Sequence, residues 1–251
     1  MAPARSVAVL LYHHVGPLRE QACRGLTVSP QAFARQIATM SAMGYTAILP
    51  DDWAAYARRE GDIPDRSVMV TFDDAYSDLA EHALPVLEKH GYPATVFVPT
   101  SLIGQSIGCN PEVPGAMLPI MSAEQIRHWS GRGVTFGAHS RSHSDLTTLD
   151  ISEAEVEMTG SKNDLAQLTG QNVTAFAYPY GRFNPALQSL AASNYSVAFT
   201  VEEGLNDSST PLTALHRTMV QHKDSVVDVL LRARYGKSVL QRIRQTVIAR
   251  A

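Results

Sequence analysis

Reactive side chains stand directly after apolar runs at five places in this chain. His13-His14 follow residues 7–12, Asp73-Asp74 follow residues 67–72, and His139 and His143 follow residues 134–138. Tyr178-Pro179-Tyr180-Gly181 closes a fourth run, and His216-Arg217 follow a short late one. The His139-Ser-Arg-Ser-His143 spacing predicts two imidazoles on one face of a helical turn. A third ligand would complete an open site of the kind that holds a catalytic divalent ion, with water in the fourth place. Taken alone, the pair reads better as two unrelated surface histidines; an acidic pair at another strand end reverses the balance toward a metal. Strand geometry sends adjacent side chains in different directions, so Asp73 and Asp74 are expected to do unlike jobs. One carboxylate would hold a metal and the other act as a base. An N-cap for the following helix is the plainer reading, and it accounts incompletely for two aspartates after a largely apolar run.

The elements that must position these groups alternate. Strand-like runs fall at residues 7–12, 46–49, 67–72, 95–98, 134–137, 174–178 and 196–200. Helical patterns lie between them. One starts at Ser29-Pro30, shows Phe33, Ile37 and Met40 on one face and stops at Gly44. Others cover residues 77–90, ending at Gly91, and 152–168, ahead of Gly170; one opens at Ser122 with Gln125 placed for a capping box. Strands alternating with helices imply βαβ units and a mainly parallel sheet. Seven or eight such units suit a (β/α) barrel, whose chemistry sits at the C-terminal strand ends. Residues 103–119, with Pro111, Pro114 and Pro119, read as a long loop on that rim. Trp53 and Trp129 read as core residues rather than sugar-stacking platforms. Residues 238–251 carry Val239, Leu240, Ile243, Val247 and Ile248 at helical spacing, as an ordinary packed helix would.

Composition narrows the function. The chain has 251 residues, 45% hydrophobic and 18% charged, which is a globular composition and enough for one domain over 1–251. A net charge of −3 argues against a nucleic-acid partner. No stretch approaches a transmembrane span. Cys23 and Cys109 stand far apart and form no ligand cluster, which excludes a disulfide-built scaffold and a cysteine zinc finger. The apolar run after Arg5 is short, ends in His13-His14 and has no cleavage site, so it reads as a strand rather than a signal peptide. The expected compartment is the cytoplasm, or outside it if the chain has been trimmed. Oligomeric state is unreadable.

Thr71-Phe72-Asp73-Asp74, then His139-Ser140-x-x-His143, then Tyr178-Pro179-Tyr180-Gly181 resemble the successive motifs of the polysaccharide deacetylases, carbohydrate esterase family 4 or the NodB-homology domain. The resemblance spans most of the chain. It implies a distorted (β/α) barrel and metal-dependent removal of the acetyl group from N-acetylated amino sugars. By that likeness Asp74, His139 and His143 would ligate a divalent ion, zinc first, with cobalt, nickel or iron also suited. Asp73 would be the catalytic base, and the Tyr180 backbone N–H would help hold the oxyanion. Two departures matter. The arginine that many members carry two residues before the turn proline is Ala177 here. The Leu-x-His motif of the general acid, usually late, is matched early by Leu11-Tyr12-His13. That motif order resembles the circularly permuted branch that includes the poly-N-acetylglucosamine deacetylases. Arg217-Thr-Met-Val220 matches that branch's late Arg-x-x-Val, so Arg217 is expected to orient Asp73, with Arg182 as the alternative. His13 is expected in the site and His14 beside it. The rival readings are a deformylase or deacetylase of a lipid-linked amino sugar and an inactive carbohydrate-binding protein on the same fold. A glycoside hydrolase fits poorly, because adjacent aspartates cannot flank a sugar bond.

Overall fold

A computed structural model of the chain describes residues 5–109, 113 and 115–237. In chain order its strands are β1 Ala8–Tyr12, β2 His14–Val15, β3 Thr27–Val28, β4 Thr46–Ala47, β5 Ser67–Phe72, β6 Ala94–Val98, β7 Ser106–Gly108, β8 Met117–Pro119, β9 Val134–Ala138, β10 Ala175–Ala177, β11 Val197–Phe199 and β12 Thr218–Met219. The helices are α1 Pro30–Ala42, α2 Pro50–Ala57, α3 Leu79–His82, α4 Leu84–His90, α5 Ala123–Trp129, α6 Ile151–Thr169, α7 Pro185–Asn194 and α8 Val226–Tyr235. The main sheet has eight strands, in the order β11-β10-β9-β6-β5-β1-β12 with β4 added beside β5, and every pairing in it is parallel. Leu215, just ahead of β12, bridges in parallel to Phe199 of β11. The sheet therefore curls back on itself, with helices around it, as a distorted (β/α) barrel.

Both faces of this sheet are covered, which is why β1, β5 and β6 are buried along their whole length. Alternate residues divide between two clusters. Leu10, Tyr12, Val68, Val70, Phe72, Val96 and Val98 pack outward against helix residues such as Phe33, Ile37 and Leu87. Val7, Val9, Met69, Phe97, Ala177, Val197 and Phe199 fill the inside of the curl, where Trp53 of α2 joins them. Trp129 belongs to the outer cluster, so both tryptophans are core residues. Carrying the inner register past the strand ends leads from Val9 to His13, from Met69 to Asp73 and from Gly137 to His139. Only glycine fits at 137, because a Cβ there would run into the Phe97 ring.

Local signals set the boundaries. Ser29 caps α1 through the Ala32 N–H, Ser122 and Gln125 form a capping box on α5, and Gly91 and Gly170 end α4 and α6 in the left-handed conformation. Three expectations need correction. The helix expected over residues 77–90 is two, α3 and α4, because Pro85 lacks an N–H and its ring crowds the preceding turn. Residues 103–119 are not a plain loop: β7 and β8 pair as an antiparallel hairpin. Pro111 and Pro114 lie outside the described residues, as does the helix expected over 238–251. Finally, Cys23 and Cys109 are joined in a disulfide across a separation of 86 residues. Distance along the chain says little about distance in space once a barrel brings its rim loops together.

Candidate active site

Asp73 is the first residue past β5, and its N–H donates to the Tyr12 carbonyl at 3.0 Å. Arg217, fully buried, grips it with a two-pronged guanidinium: Nη1 to Oδ1 at 2.6 Å and Nη2 to Oδ2 at 2.7 Å. The arginine is itself fixed. Its Nε donates to the Thr200 carbonyl at 2.8 Å, and its plane lies near the Phe97 and Phe199 rings. Burial alone would raise the Asp73 pKa, but the Arg217 charge and hydrogen bonds outweigh it and hold the carboxyl below its ordinary value. Asp73 is thus an ionised carboxylate in a dry site. Arg182 is elsewhere: largely exposed, paired with Asp145 at 2.5 Å and lying over the Tyr180 ring.

Asp74 would point away from Asp73 if the strand continued. Instead the chain enters the left-handed region at Asp74 (φ 66°) and Ala75 (φ 50°), and the carboxylate swings toward the histidines. Asp74 Oδ1 stands 3.1 Å from His143 Nε2 and 3.7 Å from His139 Nε2. The donor atoms of Asp74, His139 and His143 all lie within 4.8 Å of one another. The two histidines are not on a helical turn. Residues 139–143 form a tight loop with Ser140 and His143 at φ 59°, closed by the His143 N–H donating to Ser140 Oγ at 2.9 Å. His139 Nδ1 donates to the Ala177 carbonyl at 2.7 Å, which leaves Nε2 with its lone pair facing the cluster. Burial drops the His139 pKa to about 4, so the ring is neutral. Burial also disfavours a charged His143, but the Asp74 carboxylate outweighs it and raises that ring above its ordinary range.

This donor set fits a divalent cation. Ligand bonds of about 2.1 Å in a tetrahedral site put donors roughly 3.4 Å apart, close to the 3.1 and 3.7 Å at which Asp74 Oδ1 stands from the two imidazole nitrogens. Asp74 is buried with the His143 ring nitrogen as its near partner, so a cation would take the place of the ring's proton between the same atoms.

His13 leaves β1 on the inner register. It is half-buried with Nδ1 sealed and unpartnered, and it feels the charges of Asp74, Asp73, Arg217 and His143. Burial holds its pKa below the usual value in spite of the two carboxylates. His14 faces the other way: Nδ1 is 3.0 Å from Thr27 Oγ1 and Nε2 is 2.9 Å from Asp78 Oδ2. Tyr180 adopts φ 58° in its turn, is half-exposed, and sets its ring against His143 at 4.7 Å. Ala177 contributes its carbonyl to His139 rather than a side chain to Asp73. Thr200 and the Phe97–Phe199 pair also shape the site through Arg217, yet neither carries a motif or spacing that singles it out in the sequence.

A curled parallel barrel with an arginine-held aspartate beside an Asp-His-His group is the arrangement of a metal-dependent amide hydrolase. Residues 60–198 match the family described as polysaccharide deacetylase, and the chain belongs to that family, hydrolases acting on the amide bonds of N-acetylated sugars. A Bacillus subtilis relative named for the same family is 27% identical over 219 residues, 87% of this chain and 72% of that protein. A poly-β-1,6-N-acetyl-D-glucosamine N-deacetylase of Staphylococcus epidermidis is 27% identical over 190 residues, 72% of this chain. The chain spans 63% of that enzyme and 52% of its Staphylococcus aureus counterparts. Among solved structures, the Streptococcus pyogenes deacetylase PplD in complex with acetate superposes with TM-score 0.79 at 28% identity, covering 90% of this chain and 97% of that one. IcaB from Ammonifex degensii superposes with TM-score 0.77 at 25% identity, covering 91% and 97%.

Proposed function

We propose that this chain hydrolyses the acetamide of an N-acetylglucosamine-type glycan to a free amine and acetate, using a divalent ion held by Asp74, His139 and His143. The observation that carries the reading is the buried, two-pronged Asp73–Arg217 pair set beside that ligand group. When bound, such an ion supplies Lewis acidity toward the acetyl carbonyl and its attacking water; zinc suits the set best, with cobalt, nickel and iron as alternatives. Asp73, kept ionised by Arg217, accepts the proton of the attacking water. Arg217 holds both carboxylate oxygens, so the base keeps one orientation through the reaction. The Tyr180 backbone N–H donates to the developing oxyanion. His13, in its protonated form, gives a proton to the departing nitrogen. Named relatives support the substrate: the Staphylococcus epidermidis enzyme is a poly-N-acetylglucosamine deacetylase, and PplD was solved with acetate.

The inactive-binder reading draws on Ala177, and the guanidinium of Arg217 on Asp73 removes its motive. No described helix is long and apolar enough to cross a membrane. The test is a panel of N-acetylglucosamine oligomers and N-formyl analogues, read by mass spectrometry. Acetate release that chelator abolishes and added zinc restores is expected. Formate release alone would move the reading to a deformylase, and a zinc-loaded protein inert on the whole panel would refute it.

A further inference from the structure

Behind Asp74 stands a sealed wall that the proposed chemistry does not use. Cys23 ends a short turn between β2 and β3, and Cys109 directly follows β7, so their disulfide ties the first rim segment to the β7–β8 hairpin. They are the two cysteines of the chain. With Ala116 and Leu118 they enclose Tyr76 in one buried cluster. Tyr76 is fully buried, its ring meets His14 edge-on at 5.8 Å, and its backbone bridges antiparallel to Ile120, just past the hairpin. The same hairpin holds the backbone of the strained loop. The Met121 N–H donates to the Ala75 carbonyl at 2.9 Å, and the Ser77 N–H to the Pro119 carbonyl at 2.8 Å. Asp74 and Ala75 occupy left-handed conformations that non-glycine residues keep only when their surroundings over-determine them.

We propose that the Cys23–Cys109 disulfide is a positioning cross-link for the metal-ligating loop, acting through the packed Tyr76 ring and the β7–β8 hairpin on the backbone that carries Asp74, and that the chain matures where thiols are oxidised. The inference rests on the metal reading above. Closing the cross-link joins the two sulfurs and removes two protons and two electrons; an exchanging disulfide such as oxidised glutathione takes them up and leaves as two thiols. Reducing cytosols do not sustain such bonds, which favours the exported branch of the compartment expectation and a glycan met outside the cytoplasm.

The experiment uses the full chain. Alkylation before and after reduction, read by intact mass, reports the bond; chelator competition reports zinc affinity, and circular dichroism reports the fold. Both cysteines are expected to alkylate only after reduction. Reduced wild type and the Cys23→Ser/Cys109→Ser double variant are expected to stay folded and bind zinc about tenfold more weakly or worse, the range in which outer-shell changes act. Tyr76→Ala, which removes the ring packed between the disulfide and the loop, should weaken zinc similarly and add little to the double variant, and oxidised glutathione should restore the reduced wild type. Equal zinc affinity with and without the cross-link overturns the inference while leaving the metal reading intact. Free alkylation of the unreduced protein overturns it as well. A protein that takes no zinc in any state sinks the metal reading and this one with it. Should the double variant fail to fold, the reversible reduction of wild type decides the matter.

Discussion

Asp73 and Asp74 are neighbours in sequence and occupy two different electrostatic regions. Asp73 lies on the inner register of the barrel, with both oxygens taken by a guanidinium that two phenylalanine rings and a carbonyl hold still. Asp74 lies one left-handed residue further, with one oxygen turned toward two imidazoles, 3.1 Å from His143 Nε2 and 3.7 Å from His139 Nε2. Burial disfavours charge at both, and different partners overcome it: Arg217 on one side, the histidines on the other. A single backbone turn is enough to give identical side chains separate chemical duties. A carboxylate oriented by an arginine fork, with a lone pair left on each oxygen, is positioned to take a proton, while one turned toward two imidazoles is positioned to share a cation with them.

The sharpest break of that contrast is to neutralise each aspartate in turn. Asp73→Asn should lower kcat by about 10²–10⁴, the usual worth of a general base, while zinc binding by chelator competition stays within a few-fold. Asp74→Asn should abolish tight zinc binding and activity together. If both variants lost the metal equally, the two regions would be one. Arg217→Lys comes next. It keeps a charge but loses the fork, and a loss of about tenfold or more in kcat/KM is expected. The pH profile adds a sign. Arg217 holds the Asp73 carboxyl below its ordinary value, so weakening it lets that pKa rise. The base is then protonated over a wider acid range, and the acid limb of kcat/KM should move to higher pH. An unmoved limb would detach Arg217 from Asp73. The same logic separates the two histidines. His13→Gln should cost activity with little change in Tm. His14→Gln breaks a buried pair with Asp78 and should cost about 1–3 kcal/mol of stability with a smaller effect on turnover.

Much of the fold was legible because its signals are local and repeated. Apolar runs marked seven of the eight main-sheet strands, and serine and glycine marked helix ends such as Ser122 and Gly170. What escaped had a tertiary cause. The strand Thr218–Met219 is two residues long and defined by pairing with β1, not by its own pattern. The β7–β8 hairpin sits in a Pro- and Gly-rich stretch that reads as loop. In the site, the histidine spacing pointed to a shared centre but to the wrong local geometry. A left-handed turn closed by Ser140 brings the rings together, and serine at that position carries no periodic signal. The Cys23–Cys109 pairing was invisible because sequence separation carries no information about which rim loops meet. Arg217 was legible through the likeness of Arg217-Thr-Met-Val220 to a late Arg-x-x-Val motif and through what position 177 lacks.

Arg182 provides the finest test of the comparison, because it is the charge nearest to Arg217 in kind and farthest from it in setting. Its side chain is 65% exposed, its partner Asp145 already accepts from the Thr147 N–H, and it lies over the Tyr180 ring at 5.7 Å. An exposed ion pair of this sort is worth about 0–1 kcal/mol. Arg182→Ala should therefore leave Tm within a few degrees and kcat/KM on a short oligomer within about twofold, with the acid limb of the pH profile unmoved. A larger loss confined to longer oligomers would mark Arg182 as a rim contact for the glycan. A large loss on every substrate, accompanied by a shift of the acid limb, would mean that the exposed guanidinium reaches Asp73 during turnover and that the buried one is structural.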